Sequence, residues 1–200
     1  MRHFTILLCF LGLTGCSSFG SQSTQEPTST KPSKTVLTPT NNQSDSTCLG
    51  NALPPGEMVN FLQRATNEGM LQRALGVSGE GGLCEGQVYV VTQAFTVYRV
   101  WNSTNADSEL GNWWSFFKPE GAISDYRKNF NICYENSPLD VLTACEIKAG
   151  SDIVIEPGQS NTCGEWLTHP VSKKKQIYLE GANTKLVECK TYQGHFQWRQ

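Results

Sequence analysis

Eight cysteines punctuate this 200-residue chain, and no other feature restricts its fold as tightly. No two stand in a C-x2-C spacing, so the pattern argues against a zinc site, and no metal is expected. Cys9 and Cys16 fall in or just after an apolar N-terminal run. The other six are Cys48, Cys84, Cys133, Cys145, Cys163 and Cys189. An even set in an oxidising compartment closes into disulfides, and six cysteines can pair in fifteen ways. Proximity along the chain favours Cys133–Cys145, and after it Cys48–Cys84 and Cys163–Cys189. Each bridge stabilises by ~2–4 kcal/mol.

The N-terminus sets the compartment. Arg2 and His3 precede the apolar run Phe4 to Leu13. That run is too short to cross ~30 Å of hydrocarbon as a helix. It has the length and flanks of a signal-peptide core. It ends in Leu13-Thr14-Gly15-Cys16, which resembles the lipobox of bacterial lipoproteins. The resemblance implies that residues 1–15 are removed and that Cys16 becomes an acylated N-terminus. Two or three acyl chains anchor stably where one is marginal. The alternative is an ordinary signal peptide with an incidental cysteine. Ser17 is compatible with sorting to an outer membrane, so the expected location is the cell envelope, with the periplasmic and surface faces both open.

Residues 16–47 are rich in Ser, Thr, Gln, Asn and Pro, with Phe19 the single aromatic. Such a segment buries too little apolar surface to offset its ordering entropy. It reads as a tether with a reach of roughly 30 Å. Residues 48–200 then have the size of one globular domain. The formal charge is −2, and loss of Arg2 makes it −3, which does not point to nucleic acid. The membrane, through the lipid, is the one partner this reading names. Lys173-Lys174-Lys175 is a local basic run of the kind usually found in solvated loops.

Within the domain, residues 55–76 form a helical lead-in. Met58, Phe61, Leu62, Ala65, Leu71, Ala74 and Leu75 recur at helical spacing over Glu57 to Leu75, interrupted by Gly69 and stopped by Gly76. Residues 87–191 form a β-rich core. Gln87 to Trp101 is β-branched and aromatic and predicts two strands or one bent one. Asn102 to Leu110 is a polar loop, and Ser124 to Phe130 a short helix. Ala144 to Lys148 and Asp152 to Glu156 predict strands joined at Gly150. Gln176 to Glu180 and Leu186 to Thr191 predict two more, with Gly181 between them. The fold class is α+β: an N-terminal helix, then a mixed, mostly antiparallel β core braced by disulfides.

Four features follow one another in the core. Arg99 sits inside the hydrophobic strand Val97-Tyr98-Arg99-Val100-Trp101. Leu110-Gly111-Asn112-Trp113-Trp114-Ser115-Phe116 comes next. A strand pair joined at Gly150 ends in Pro157-Gly158-Gln159, and Gln176-Ile177-Tyr178-Leu179-Glu180 closes the set. From Thr96 to Leu179 the chain resembles the ADP-ribosyltransferase-like superfamily, and within it secreted NAD-glycohydrolase domains. The resemblance implies that Arg99 binds the NAD phosphates, that the segment around Ser115 forms the nicotinamide pocket, and that Gln176 contacts the nicotinamide ribose. NAD would be the substrate, and no further cofactor is required. Two departures stand out. Tyr178 occupies the place where transferases carry a glutamate, and Ser172-Lys173-Lys174-Lys175 replaces a glycine-rich turn. Both favour hydrolysis or loss of activity over protein modification.

The chemistry makes its own demands. NAD carries two phosphate charges, and a guanidinium offers a planar fork for phosphate oxygens. Cleaving the nicotinamide–ribose bond passes through an oxocarbenium-like state, as glycoside cleavage does. Trp113, Trp114 and Phe116 are candidate pocket walls. Gln176, Tyr178 and Glu180 share one face of a strand, which makes Tyr178 a candidate binding residue and Glu180 a candidate carboxylate. Each has a plainer alternative. Arg99 pairs with an acidic residue at a sheet edge, the aromatic residues are core, Ser115 bonds to backbone, and Gln176 merely begins a strand. His169 and His195 read as surface residues and Asp140 as a cap or turn. On those alternatives the chain is a non-catalytic lipoprotein that binds a protein or cell-wall partner.

Overall fold

The computed structural model describes residues 47–198. The expected signal peptide, Cys16 and all of the tether except residue 47 lie outside the described residues.

The expected helix over 57–75 is three elements instead. A 3-10 helix spans Gly56–Phe61, a strand β1 spans Leu62–Arg64, and the helix α1 spans only Glu68–Ala74. Asn67 explains the restart, since its side chain accepts from the Met70 N–H at 3.2 Å and caps α1. Leu62 turns into the main core while Met70 and Ala74 turn into another cluster. Two short elements together imitate one helical spacing.

In chain order the remaining strands and α-helices are β2 (Gln87–Val91), β3 (Phe95–Trp101), β4 (Trp113–Trp114), α2 (Ile123–Phe130), β5 (Val141–Ile147), β6 (Asp152–Pro157), β7 (Asn161–Cys163), β8 (Leu167–His169), β9 (Lys175–Tyr178), α3 (Ala182–Lys185) and β10 (Leu186–Gln193). Five strands form a sheet in the order β1-β2-β6-β9-β4, and three form a second in the order β10-β5-β3. The strands within both sheets pair antiparallel. The β7–β8 hairpin stands apart. This is the α+β, mostly antiparallel architecture expected.

The run 87–101 therefore divides between two sheets: β2 joins the larger and β3 is an edge of the smaller. Strand alternation sorts the side chains of β3. Phe95 and Val97 pack with Ile147, Ile153, Ile155 and Ile177 in a core to which both sheets contribute. Val100 faces the other way, onto Tyr126, Leu139 and Leu142. Burying each such side chain contributes ~1.5–3 kcal/mol. By the same alternation Arg99 follows Phe95 and Val97 on the core-facing side.

Three disulfides brace this frame. Cys48–Cys84 is as expected, with Cα atoms 5.6 Å apart. The other two pairings differ from the expectation: Cys133 joins Cys163 and Cys145 joins Cys189, with Cα separations of 5.2 and 4.0 Å. Topology overrides chain proximity. Cys145 lies on β5, whose neighbour β10 presents Lys190 opposite Ala144 and so brings Cys189 alongside. Cys133, just beyond α2, meets the end of β7. His169, expected at the surface, is buried at 6% exposure on β8. Asp140 cross-links two loops, accepting from the Ser103 N–H at 3.0 Å and from the Ser103 hydroxyl.

Candidate functional site

After β4 the chain crosses from one sheet to the other. Ser115 forms a two-way bridge with Tyr98: its N–H donates to the Tyr98 carbonyl at 2.7 Å, and the Tyr98 N–H donates to its carbonyl at 3.0 Å. This crossing brings Trp113 and Trp114 beside β3. Arg99 is held there by main chain. Its Nε donates to the Ser108 carbonyl at 2.7 Å and its Nη1 to the Trp113 carbonyl at 2.8 Å. Gly111 lets the loop close over the guanidinium, since a Cβ at that position would stand 2.5 Å from Nη2.

Arg99 does lie at a sheet edge, but it has no acidic partner among the described residues. Among the described residues the ion pair formed is Arg73 with Glu180. Burial pushes the Arg99 guanidinium below its ordinary pKa, and no carboxylate raises it again. Of its five N–H donors, the two hydrogen bonds use two. The other three make no hydrogen bond among the described residues.

Arg99 lines a cavity of about 310 Å³, together with Trp113, Trp114, Tyr126, Asn131 and Gln176. Trp114 is fixed by donating its indole N–H to the Gly111 carbonyl at 2.7 Å. Gln176, the second residue of β9, is 6% exposed and sits opposite Glu156 in the register. Asn131 ends α2 at φ 55°, a left-handed conformation that Asn tolerates better than most residues. Its Nδ2 donates to the Pro170 carbonyl at 2.8 Å, while its Oδ1 is buried without a hydrogen-bond partner among the described residues. A side chain at Gly158 would collide with both the Asn131 Oδ1 and the Gln176 Nε2, so a glycine is what lets the two amides converge.

The other expected site residues are elsewhere. Ser115 is 3% exposed, and its hydroxyl is within reach of the Tyr98 and Phe117 carbonyls at 3.1 and 3.0 Å, so it serves the backbone. Phe116 packs in the main core against Phe95. Tyr178 packs on Trp113, ring centroids 4.9 Å apart, and donates its hydroxyl to Glu180 at 2.9 Å. Glu180 is gripped by Arg73 at 2.5 and 2.9 Å, which holds its carboxyl below the usual range. Neither Tyr178 nor Glu180 lines the cavity.

A different carboxylate does. Glu80 lies at the cavity on the loop Gly79–Gly82, between glycines at φ 88° and 77°. The loop is tied down by Gly79 and Gly81 N–H groups donating to the Ser160 carbonyl at 3.1 and 2.9 Å. Glu80, Asn131 and Asn161 are among the polar lining residues that sequence reasoning missed. The glycines flanking Glu80 are the one signal that could have flagged it, since glycines at positive φ mark a tight turn. Among the described residues, no three His, Cys, Asp or Glu side chains gather closely enough to hold a metal ion. Comparison of the chain with protein-family models, with curated proteins and with solved structures returned no match.

Proposed function

We propose that this chain is an exported, lipid-anchored envelope protein whose domain binds NAD in the Arg99 cavity and cleaves its nicotinamide–ribose bond. One observation carries the reading: Arg99 and Gln176, far apart in sequence, line the same cavity, and Arg99 forms no ion pair among the described residues. The ADP-ribosyltransferase-like resemblance implies that order of residues, and the two antiparallel sheets are compatible with it. The disulfides support an oxidising compartment.

In this reading Arg99 takes a phosphate oxygen, Trp113 and Trp114 wall the nicotinamide, and the Gln176 amide meets the ribose hydroxyls. Heterolysis sends the glycosidic electron pair to the pyridinium nitrogen, and neutral nicotinamide leaves. Water adds to the ribose carbon and gives up a proton. Glu80 supplies the negative charge that favours the cationic transition state. The test is nicotinamide release from NAD by the chain with its disulfides intact, beside an Arg99→Ala, Gln176→Ala double variant. Release by the wild type alone is expected. No binding and no consumption of NAD by folded wild-type protein overturns the proposal.

A non-catalytic binding protein is the second reading. It is favoured by Glu180, whose carboxylate is spent on Arg73 outside the cavity. Its occupant would be a protein or cell-wall partner, and folded wild-type protein that leaves NAD intact would decide for it.

A further inference from the structure

A second cavity, of about 460 Å³, lies on the other side of Tyr126 and Phe130, which line both. Four lysines, Lys118, Lys173, Lys174 and Lys175, face it together with two carboxylates, Glu120 and Asp125. None of the four lysines forms an ion pair among the described residues. Lys118 lies over the Tyr192 ring at 5.4 Å, and Lys175 donates to Asn51 and Leu53 at 3.2 and 2.5 Å. Lys173 and Lys174 are exposed, with no side-chain hydrogen bond among the described residues. Phe117 stands at the same cavity, 52% exposed, a large ring left in water.

The lysine loop is solvated, as expected, but anchored. Ser172, 6% exposed, donates its hydroxyl to the Asn129 carbonyl at 2.6 Å and accepts from the Lys174 N–H at 2.9 Å. Its own N–H donates to the Gly158 carbonyl at 3.0 Å. The run that carries Lys173 and Lys174 is thus pinned to the end of α2 and to the turn beneath Gln176. Unpaired ammonium groups at a fixed position beside an exposed aromatic face match a ligand with a phosphate and a flat ring.

We infer that this second cavity receives the adenylate arm of the dinucleotide, with Lys173 and Lys174 on its phosphate and Phe117 under its base. The inference rests on the NAD reading of the first cavity and extends it. Size is part of the argument. Small-molecule sites run from ~300 to 1,000 Å³, and the Arg99 cavity at about 310 Å³ lies at the small end of that range. Tyr126 and Phe130 line both cavities, so the two adjoin.

The test is calorimetric titration of the full chain, disulfides intact, with AMP and with nicotinamide mononucleotide, alone and together. AMP is expected to bind without displacing the mononucleotide. In Lys173→Ala, Lys174→Ala the affinity for AMP relative to that for the mononucleotide falls about tenfold or more. Phe117→Ala lowers it about tenfold as well. Both sites are exposed, and an unchanged melting temperature verifies folding. AMP that competes with the mononucleotide, or binds the lysine variant as well as the wild type, or does not bind, overturns the adenylate arm alone. Failure of the mononucleotide to bind overturns the NAD reading itself, and the adenylate arm with it.

Discussion

Glu156→Gln is the perturbation whose effect is best determined by the structure. Glu156 is 1% exposed, and its Oε2 has no hydrogen-bond partner among the described residues. Burial, reinforced by Glu85 and only partly opposed by Lys175, pushes its carboxyl from 4.5 up to about 7. Below pH 4.5 both the native and the unfolded chain hold the proton, and the carboxyl costs nothing. Between the two values the unfolded chain releases its proton while the native one keeps it, so stability falls as pH rises. Above pH 7 both are ionised, and the native state carries the full penalty, about 3 kcal/mol. Glutamine keeps the shape and cannot ionise. Any cost of its unpaired amide is the same at every pH, so the diagnostic is the pH dependence of the difference. Urea unfolding at pH 4, 5.5, 7 and 8.5 measures it. The stability of Glu156→Gln relative to wild type should climb by about 3 kcal/mol from the lowest pH to the highest. A difference that stays flat across that range would falsify the assignment of Glu156 as an unpaired buried carboxylate.

Four further outcomes are expected. Arg99→Lys should fail to restore nicotinamide release lost in Arg99→Ala, because a single ammonium cannot reach the Ser108 and Trp113 carbonyls and still present a fork; recovery in steady-state assays would show that charge alone suffices. Gly111→Ala should lower release as Arg99→Ala does and cost ~1–3 kcal/mol in unfolding experiments, since its Cβ meets the guanidinium. Glu180→Gln should leave release intact and shift stability by no more than ~1 kcal/mol, as for other exposed ion pairs, whereas Glu80→Gln should lower kcat; the reverse order would return the catalytic carboxylate to Glu180. Peptide mapping without reduction should recover Cys133 bonded to Cys163, and replacing that pair with alanines should cost about 3 kcal/mol by thermal unfolding.

Much of the frame is legible in the sequence. The strands around 144–156 and 176–191 are marked by β-branched runs broken at Gly150 and Gly181, and both glycines take the positive φ that such breaks require. The short helix near 124–130 also appears, as Ile123–Phe130. The segment 57–75 was misleading because periodicity over so few residues does not separate a helix from a strand followed by a helix. β4 and the β7–β8 hairpin escaped notice because strands of two or three residues leave almost no pattern. At the site, Arg99 and Gln176 stood out as polar residues embedded in apolar strands. Asn131 and Glu80 did not, since loop and helix-end residues carry no periodic signal.

Residue chemistry by itself determined that this chain builds short strands, closes them with an even set of cysteines, and places a guanidinium inside a hydrophobic run. Those outcomes depend on local preference and composition. Tertiary structure alone decided that neighbouring strands β2 and β3 belong to different sheets, that Cys133 reaches past Cys145 to Cys163, and that Arg73 draws Glu180 away from the cavity while the glycine loop brings Glu80 to it. These are choices among partners distant in sequence. Chain proximity weighs little there, because loop closure costs only slightly more for a long loop than for a short one, and packing settles the rest.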